Sequence, residues 1–171
     1  MKRSKKFSSI AIMGLVVLLL SSISFANPHT PPPGGGGGVV TPPPIAITFR
    51  IDVPGFQVAG QQKTMVASYL KQGNTMMPIR MLEDLGVQLD WNQATRTATL
   101  VFGTNTVTVT IGSTDAYING VRTPIVGANG LLMAPELAPP GRTMIPARFV
   151  SEKLGFVVDW AADRTITITT R

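Results

Sequence analysis

The order of apolar and polar residues predicts several short strands and two short helices. Threonine alternates with apolar residues over 96–102, 107–111 and 164–170, which is typical of strands with one buried face. Apolar residues follow helical spacing over 79–85 and 147–154, with a proline before each segment and a glycine after it. We therefore predict an α+β fold, a mainly antiparallel sheet with two short helices.

An internal repeat, with a spacing of about 68 residues, relates the two predicted helices and the strands around them. Segments 75–91 and 143–160 share the order Thr-Met-x-Pro-x-Arg, an acidic residue, Leu-Gly and Asp-Trp, once the inserted Ser151 is allowed for. The Asn-Gly pair at 119–120 is typical of a two-residue hairpin turn, and the pair at 59–60 holds the same place in the first half. We interpret the domain as two duplicated units, each a hairpin, a strand, a short helix and a second hairpin. The repeated motif residues are Pro78, Arg80, Glu83, Gly86 and Trp91, matched by Pro146, Arg148, Glu152, Gly155 and Trp160.

The first 44 residues are predicted to lie outside the folded domain. A basic start at 2–6, followed by an apolar run at 10–20 and small residues, predicts a signal peptide over 1–26. The apolar run is shorter than the about 20 residues that span a bilayer, and an uncleaved membrane anchor is the alternative. Residues 27–44 contain seven Pro and five Gly, so we expect a disordered linker there. The folded domain is expected over 45–171.

Composition argues against several kinds of site. The chain has no Cys and only one His, His29, so it cannot form a thiolate metal site or, within one chain, a three-histidine site. Its formal net charge is +6, but four of the positive charges lie in the first six residues. The rest carries 11 Lys and Arg against 9 Asp and Glu, so no basic stripe is left for nucleic acid. We predict no cofactor, no metal and no nucleic-acid partner.

The second copy of the repeat carries a resemblance to a known family. The run RTMIPARFVSEKLGFVVDW at 142–160, followed by RTITI at 164–168, resembles the copper amine oxidase N-terminal-like domain of bacterial stalk domain-containing proteins. The resemblance covers 45–171 and is weaker over 75–99. It implies an accessory extracellular domain, because in the family the copper, its histidine ligands and the modified tyrosine belong to a separate catalytic part. Amine oxidase activity is therefore not expected here.

Three residues are candidates for direct ligand contact. Trp91 and Trp160 end equivalent predicted strands, where an indole ring would either stack on a sugar of a cell-wall glycan or pack under a short helix. The apolar strand that precedes each of them favours packing. Asn129 lies in the irregular stretch 127–141, which is either a binding loop or a tolerated surface insertion of about eight residues. The residues alone leave both readings of this stretch open.

The Arg and Glu residues of the repeat lie on one face of each predicted helix. Arg80 with Glu83 are three residues apart, and Arg148 with Glu152 are four residues apart. Each pair is either a contact for an anion or polymer or a structural ion pair, and the second reading is favoured because no other polar residues converge there.

The function that we predict is that of a secreted, non-catalytic module of the cell envelope with a binding or structural role. Its expected partner is a cell-wall polymer or another envelope protein. The main alternative is a membrane-tethered domain that acts through protein contacts if the N-terminal segment stays uncleaved. A small envelope hydrolase has less support, because its carboxylates would have to come from Asp90, Asp159, Asp163 and Glu152, without any catalytic motif.

Overall fold

The structure, a computed structural model, describes residues 43–171 of the chain. The predicted signal peptide at 1–26 and almost all of the predicted linker at 27–44 lie outside these residues. Neither helix in the described part of the chain is long and apolar enough to cross a membrane.

Short strands dominate the described residues, and none is longer than six residues. Turns with glycine or another residue at positive φ separate many of them, as at 59–60 and 119–120. The strands are β1 (Ala46–Arg50), β2 (Phe56–Val58), β3 (Gln61–Lys63), β4 (Tyr69–Lys71), β5 (Asn74–Pro78), β6 (Gln88–Asn92), β7 (Thr97–Phe102), β8 (Asn105–Thr110), β9 (Asp115–Ile118), β10 (Val121–Pro124), β11 (Glu136–Ala138), β12 (Arg142–Pro146), β13 (Val157–Trp160) and β14 (Thr165–Thr169).

The strands form three antiparallel sheets. The first sheet has the order β13-β14-β1-β2-β3, so it joins the two ends of the described chain. The second sheet is β10-β9-β8-β7-β6, in which neighbours in sequence are neighbours in space. The third, four-stranded sheet has the order β11-β12-β5-β4. With the two helices, this confirms the predicted fold class, α+β and rich in antiparallel strand.

The two five-stranded sheets turn alternate residues of their inner strands into the core. In β14, Ile166 and Ile168 are fully buried, and the threonines that alternate with them lie on the opposite face. In β8, Val107 and Val109 are buried in the same way. The alternation that the sequence predicted for both segments is therefore present, and it fixes which face of each sheet meets the core.

Each short helix begins after a proline, and a glycine lies within two residues of its end. The first helix, Ile79–Leu85, is a 3-10 helix, and the second, Ala147–Lys153, is an α-helix. Gly86 follows the first helix directly, and Gly155 follows Leu154 after the second; their φ values of 85° and 96° are the left-handed conformation that the sequence predicted. Both helices have seven residues, and the inserted Ser151 makes the segment between the proline and the glycine one residue longer in the second copy, where Leu154 separates the helix from Gly155.

Methionine fills much of the core. Met76, Met77 and Met144 are fully buried on β5 and β12, and Met81 and Met133 are 1% and 2% exposed. An unbranched thioether adapts to irregular gaps, which suits a core enclosed by three sheets and two helices.

A polar cluster links the two outer strands of the four-stranded sheet. Tyr69 on β4 donates its hydroxyl hydrogen bond to Glu136 on β11 over 2.7 Å, and Lys71 is paired with the same carboxylate. Burial and the adjacent Glu136 raise the pKa of Tyr69 well above its usual value. Burial alone would raise the pKa of Glu136, but the hydrogen bonds from Lys71 and Tyr69 outweigh it and lower that pKa. These side-chain contacts thus connect the two edge strands across the inner strands β12 and β5.

Ser151 generates a stability prediction, because it is fully buried and its hydroxyl has no hydrogen-bond partner among residues 43–171. An unsatisfied buried polar group costs about 1–3 kcal/mol. Ser151→Ala is therefore expected to raise the free energy of unfolding by about 1 kcal/mol, measured by urea denaturation. Ser113→Ala is the control and should lower it, since the Ser113 hydroxyl bonds both the N–H and the C=O of Asp115. A loss of stability in Ser151→Ala would contradict this account.

Candidate functional site

Two surface grooves lie beside the helices, and each contains one of the two tryptophans. The larger, about 580 Å³, is called the Trp160 groove; Pro146, Arg148, Glu152 and Thr75 also line it. Its volume lies within the about 300–1,000 Å³ of typical ligand pockets. Because Thr75 belongs to β5 and Pro146 to β12, the pairing of these two strands brings the two sides of the groove together.

Trp160 lies at the surface of this groove with 38% of its area exposed. It ends β13, which is an edge strand of the first sheet. The guanidinium of Arg148 lies 4.0 Å from the centre of the indole ring, a cation–π contact. Arg148 also pairs with Glu152, at 3.7 Å between Nε and Oε1. One face of the indole is thus covered by an arginine that belongs to an exposed ion pair.

The second groove, about 330 Å³, is called the Trp91 groove. Trp91 is half-buried and packs against the core, and its ring N–H donates a hydrogen bond to Gln93 over 2.8 Å. Trp91 is the second-last residue of β6, whereas Trp160 is the last residue of β13. The groove is also lined by Pro78, Arg80, Arg96, Arg142, Thr143, Met65, Leu89 and Leu137.

The predicted Arg–Glu pairs are formed, and both are exposed. Arg80 pairs with Glu83 at 3.4 Å, and its side chain is 57% exposed. Arg148 and Glu152 are about half exposed. Exposed pairs contribute only about 0–1 kcal/mol to stability. A ligand could therefore contact these side chains, and break the pairs, with little loss of folding free energy.

Asn129 fastens the loop after β10 to the turn between β4 and β5. Its side-chain amide donates to the carbonyl of Gln72 over 2.6 Å, and its oxygen accepts from the N–H of Leu131 over 3.1 Å. Asn74, which is only 8% exposed, accepts from the N–H of Ala128 over 2.7 Å and donates to the carbonyl of Gln72. The polar atoms of Asn129 therefore serve contacts within the protein, and the loop forms one rim of the Trp160 groove.

The four candidate carboxylates are spread over the structure. Asp90 lies on the second sheet and Asp159 on the first, and both are exposed. Asp163 accepts hydrogen bonds from the hydroxyl and the N–H of Thr165, which hold the pKa of that carboxyl below its usual range. Glu152 is the one that lines a groove. Within residues 43–171, no three His, Cys, Asp or Glu side chains are grouped closely enough to hold a metal ion.

Sequence reasoning missed four lining residues of the grooves, Thr75, Thr143, Arg96 and Arg142. The first two were visible as repeat positions, but their role depends on which strands pair. Arg96 aligns with Arg164 in the repeat, and its unusual left-handed backbone, with φ of 54°, is visible only in the structure.

Comparison with protein families identified one match. Residues 57–169, more than half of the chain, match the family model of the copper amine oxidase N-terminal domain, which is a non-catalytic accessory domain. This confirms the resemblance seen in the sequence motifs. The comparisons with curated proteins and with solved structures found no match.

The close approach of Gly127 to Asn74 generates a prediction for the rim of the Trp160 groove. A Cβ atom at residue 127 would lie 2.5 Å from the amide atoms of the buried Asn74. Gly127→Ala is therefore expected to lower the free energy of unfolding by about 2 kcal/mol, measured by urea denaturation.

The matched control is the same substitution in an Asn74→Ala background. Without the Asn74 side chain there is no clash, so the cost of Gly127→Ala should fall to less than about half. Strictly additive costs would show that the contact does not constrain the loop.

Proposed function

Because this chain belongs to the copper amine oxidase N-terminal domain family, we propose that it is a secreted, non-catalytic module that binds a polymer of the cell envelope. The observation that carries this proposal is the Trp160 groove. The indole of Trp160 is 38% exposed and offers apolar surface to a sugar ring beside the part that Arg148 covers, while Arg148, Glu152 and Lys153 provide hydrogen-bonding groups around it. This combination suits a glycan better than a purely apolar ligand.

Export is supported by the sequence of the first 26 residues, with its basic start, apolar run and small residues. The absence of cysteine also suits a domain that folds without oxidation. A polymer outside the cytoplasmic membrane is therefore the partner class that agrees with both the predicted signal peptide and the groove.

We also infer that the domain consists of two duplicated units. Met77 lies opposite Ile145 at the centre of the β5–β12 pair, and these two residues hold the same place in the repeat. Arg96 and Arg164, which also correspond, both have positive φ, 54° and 69°. The two five-stranded sheets also contain matching sets of three residues that pair across neighbouring strands. In the first sheet these are Ile168, Ile47 and Val58, and in the second sheet they are Leu100, Val107 and Ile118.

Under this inference the two grooves are equivalent sites that have diverged. Each groove takes its threonine from one unit and its other motif residues from the other unit. In the Trp160 groove, the additional loop lies beside Asn74. Arg142, which corresponds to Asn74 in the repeat, lines the Trp91 groove. In the Trp160 groove these residues are Thr75, Pro146, Arg148 and Trp160. In the Trp91 groove they are Thr143, Pro78, Arg80 and Trp91.

A second candidate function is an assembly domain that acts through protein contacts. Val121 on β10 is 67% exposed and Tyr117 on β9 is 51% exposed, and β10 is the outermost strand of its sheet. An edge strand with exposed apolar side chains is open to pairing with another chain. The hydrolase reading has less support, since its candidate carboxylates lie on different sheets.

Retention on isolated cell walls tests the proposed polymer binding. The full chain should bind walls at low salt, and Trp160→Ala should weaken binding at least about tenfold, since loss of an aromatic anchor costs on the order of 2 kcal/mol. Tyr117→Ala is the matched control, because it removes an exposed aromatic ring outside both grooves.

Each possible result of this assay has a definite meaning. Equal binding by Trp160→Ala, with an unchanged unfolding midpoint, would reject the Trp160 groove as the contact. Failure of the unaltered chain to bind walls would reject the polymer as the partner.

N-terminal sequencing of the protein recovered from the producing cells separates release from tethering. We expect the mature chain to begin at Asn27, after cleavage at the end of the predicted signal peptide. A chain that still begins at residue 1 and remains with the membrane fraction would favour the tethered assembly domain instead.

A further inference from the structure

The Trp91 groove concentrates positive charge without a lining carboxylate. Three arginines line it, Arg80, Arg96 and Arg142, and no Asp or Glu of residues 43–171 does so. Arg80 is paired with Glu83, but neither Arg96 nor Arg142 is in an ion pair with any described residue. The groove is thus the site where an anion would complete the charge balance.

Arg164, which aligns with Arg96 in the repeat, has an ion-pair partner. Arg164 lies in the turn before β14 with φ of 69°, and its carbonyl accepts a hydrogen bond from the N–H of Ile51 over 3.1 Å. The next residue, Asp52, pairs with the Arg164 guanidinium at 3.1 Å. The segment that follows β1 therefore supplies the carboxylate that neutralises Arg164.

Arg96 occupies the same position in the turn before β7 and lacks that partner. Its φ is 54°, and its carbonyl accepts from the N–H of Ile111 over 3.0 Å. The next residue is Gly112, which has no side chain to offer. The charge of Arg96 is consequently left for another group in the groove.

The other lining residues indicate what kind of anion would fit. Met65, Leu89 and Leu137 add apolar surface, and Trp91 adds part of an aromatic ring. Guanidinium groups bind carboxylate and phosphate oxygens through paired hydrogen bonds. A ring with apolar faces and an attached oxyanion would use both features.

We propose that the Trp91 groove is a second binding site, which takes an acidic glycan through the carboxylate or phosphate groups that the glycan carries. The proposal goes beyond wall binding through the Trp160 groove, because it concerns other residues. It is tested in solution with defined oligomers, so it can fail or succeed whatever the wall assay gives.

The first test is calorimetric titration of the full chain with four oligomers of similar length. These are a glycerol-phosphate oligomer, an oligogalacturonate, a neutral oligosaccharide and an oligoglutamate. At least one of the first two should bind, with an affinity that falls as salt rises, and the better one identifies phosphate or carboxylate as the recognised group. Equally strong binding of the neutral oligosaccharide, or of the oligoglutamate, that Arg96→Gln weakens to the same extent would overturn the proposal.

The most specific variant gives Arg96 a carboxylate partner like the one that Arg164 has. Gly112 has φ of 82° and open space where a Cβ would lie, and Asp52 shows that aspartate adopts the equivalent conformation. Gly112→Asp should place a carboxylate beside Arg96 and weaken binding of the acidic oligomer about tenfold. Gly112→Asn is the matched control with the same shape and no charge, and it should bind like the unaltered chain.

A second pair of variants controls for a loss of binding that is caused by misfolding. Arg96→Gln should weaken binding about tenfold, and Arg164→Gln, with the same loss of charge at the equivalent turn, should leave it unchanged. An equal effect of these two variants, or full binding by Gly112→Asp, would show that the oligomer does not bind at Arg96.

Discussion

The antiparallel pairing of β5 with β12 joins the first half of the described chain to the second. Met77 and Ile145 face each other at its centre, and both are fully buried. Pro78 and Pro146 end the two strands, because proline has no N–H to continue a ladder, and the helices begin directly after them. The same pairing sets Thr75 beside Pro146. It therefore buries Met77 against Ile145, places the start of each helix and forms the floor of the Trp160 groove.

The first sheet adds a second constraint, since β1 and β14 come from opposite ends of the described chain. Ile47 and Ile168 lie opposite each other there and are fully buried. Burying one such side chain stabilises the folded state by about 1.5–3 kcal/mol. Such distant pairing costs loop-closure entropy before it contributes stability. Neither half of the chain can therefore complete its own sheets, and both grooves depend on an intact domain.

The sequence predicted local features well and the grooves poorly, for a physical reason. Helix ends at Gly86 and Gly155 depend on residues within one turn, so a single segment contains the information. The grooves depend on contacts between residues about 70 positions apart, and one strand register decides which side chains meet. The exposure of Trp160 likewise follows from the position of β13 at a sheet edge, which no local pattern specifies.

Arg96 illustrates how stability and function separate in this domain. Its left-handed backbone is one that glycine or asparagine adopts with less strain, and an exposed guanidinium without a partner adds little to folding. Packing therefore gives no reason for arginine at this turn, whereas Arg164, with which Arg96 aligns in the sequence, has Asp52 as a partner. What Arg96 adds is charge in the Trp91 groove, beside Arg80 and Arg142, where the net field favours an anion.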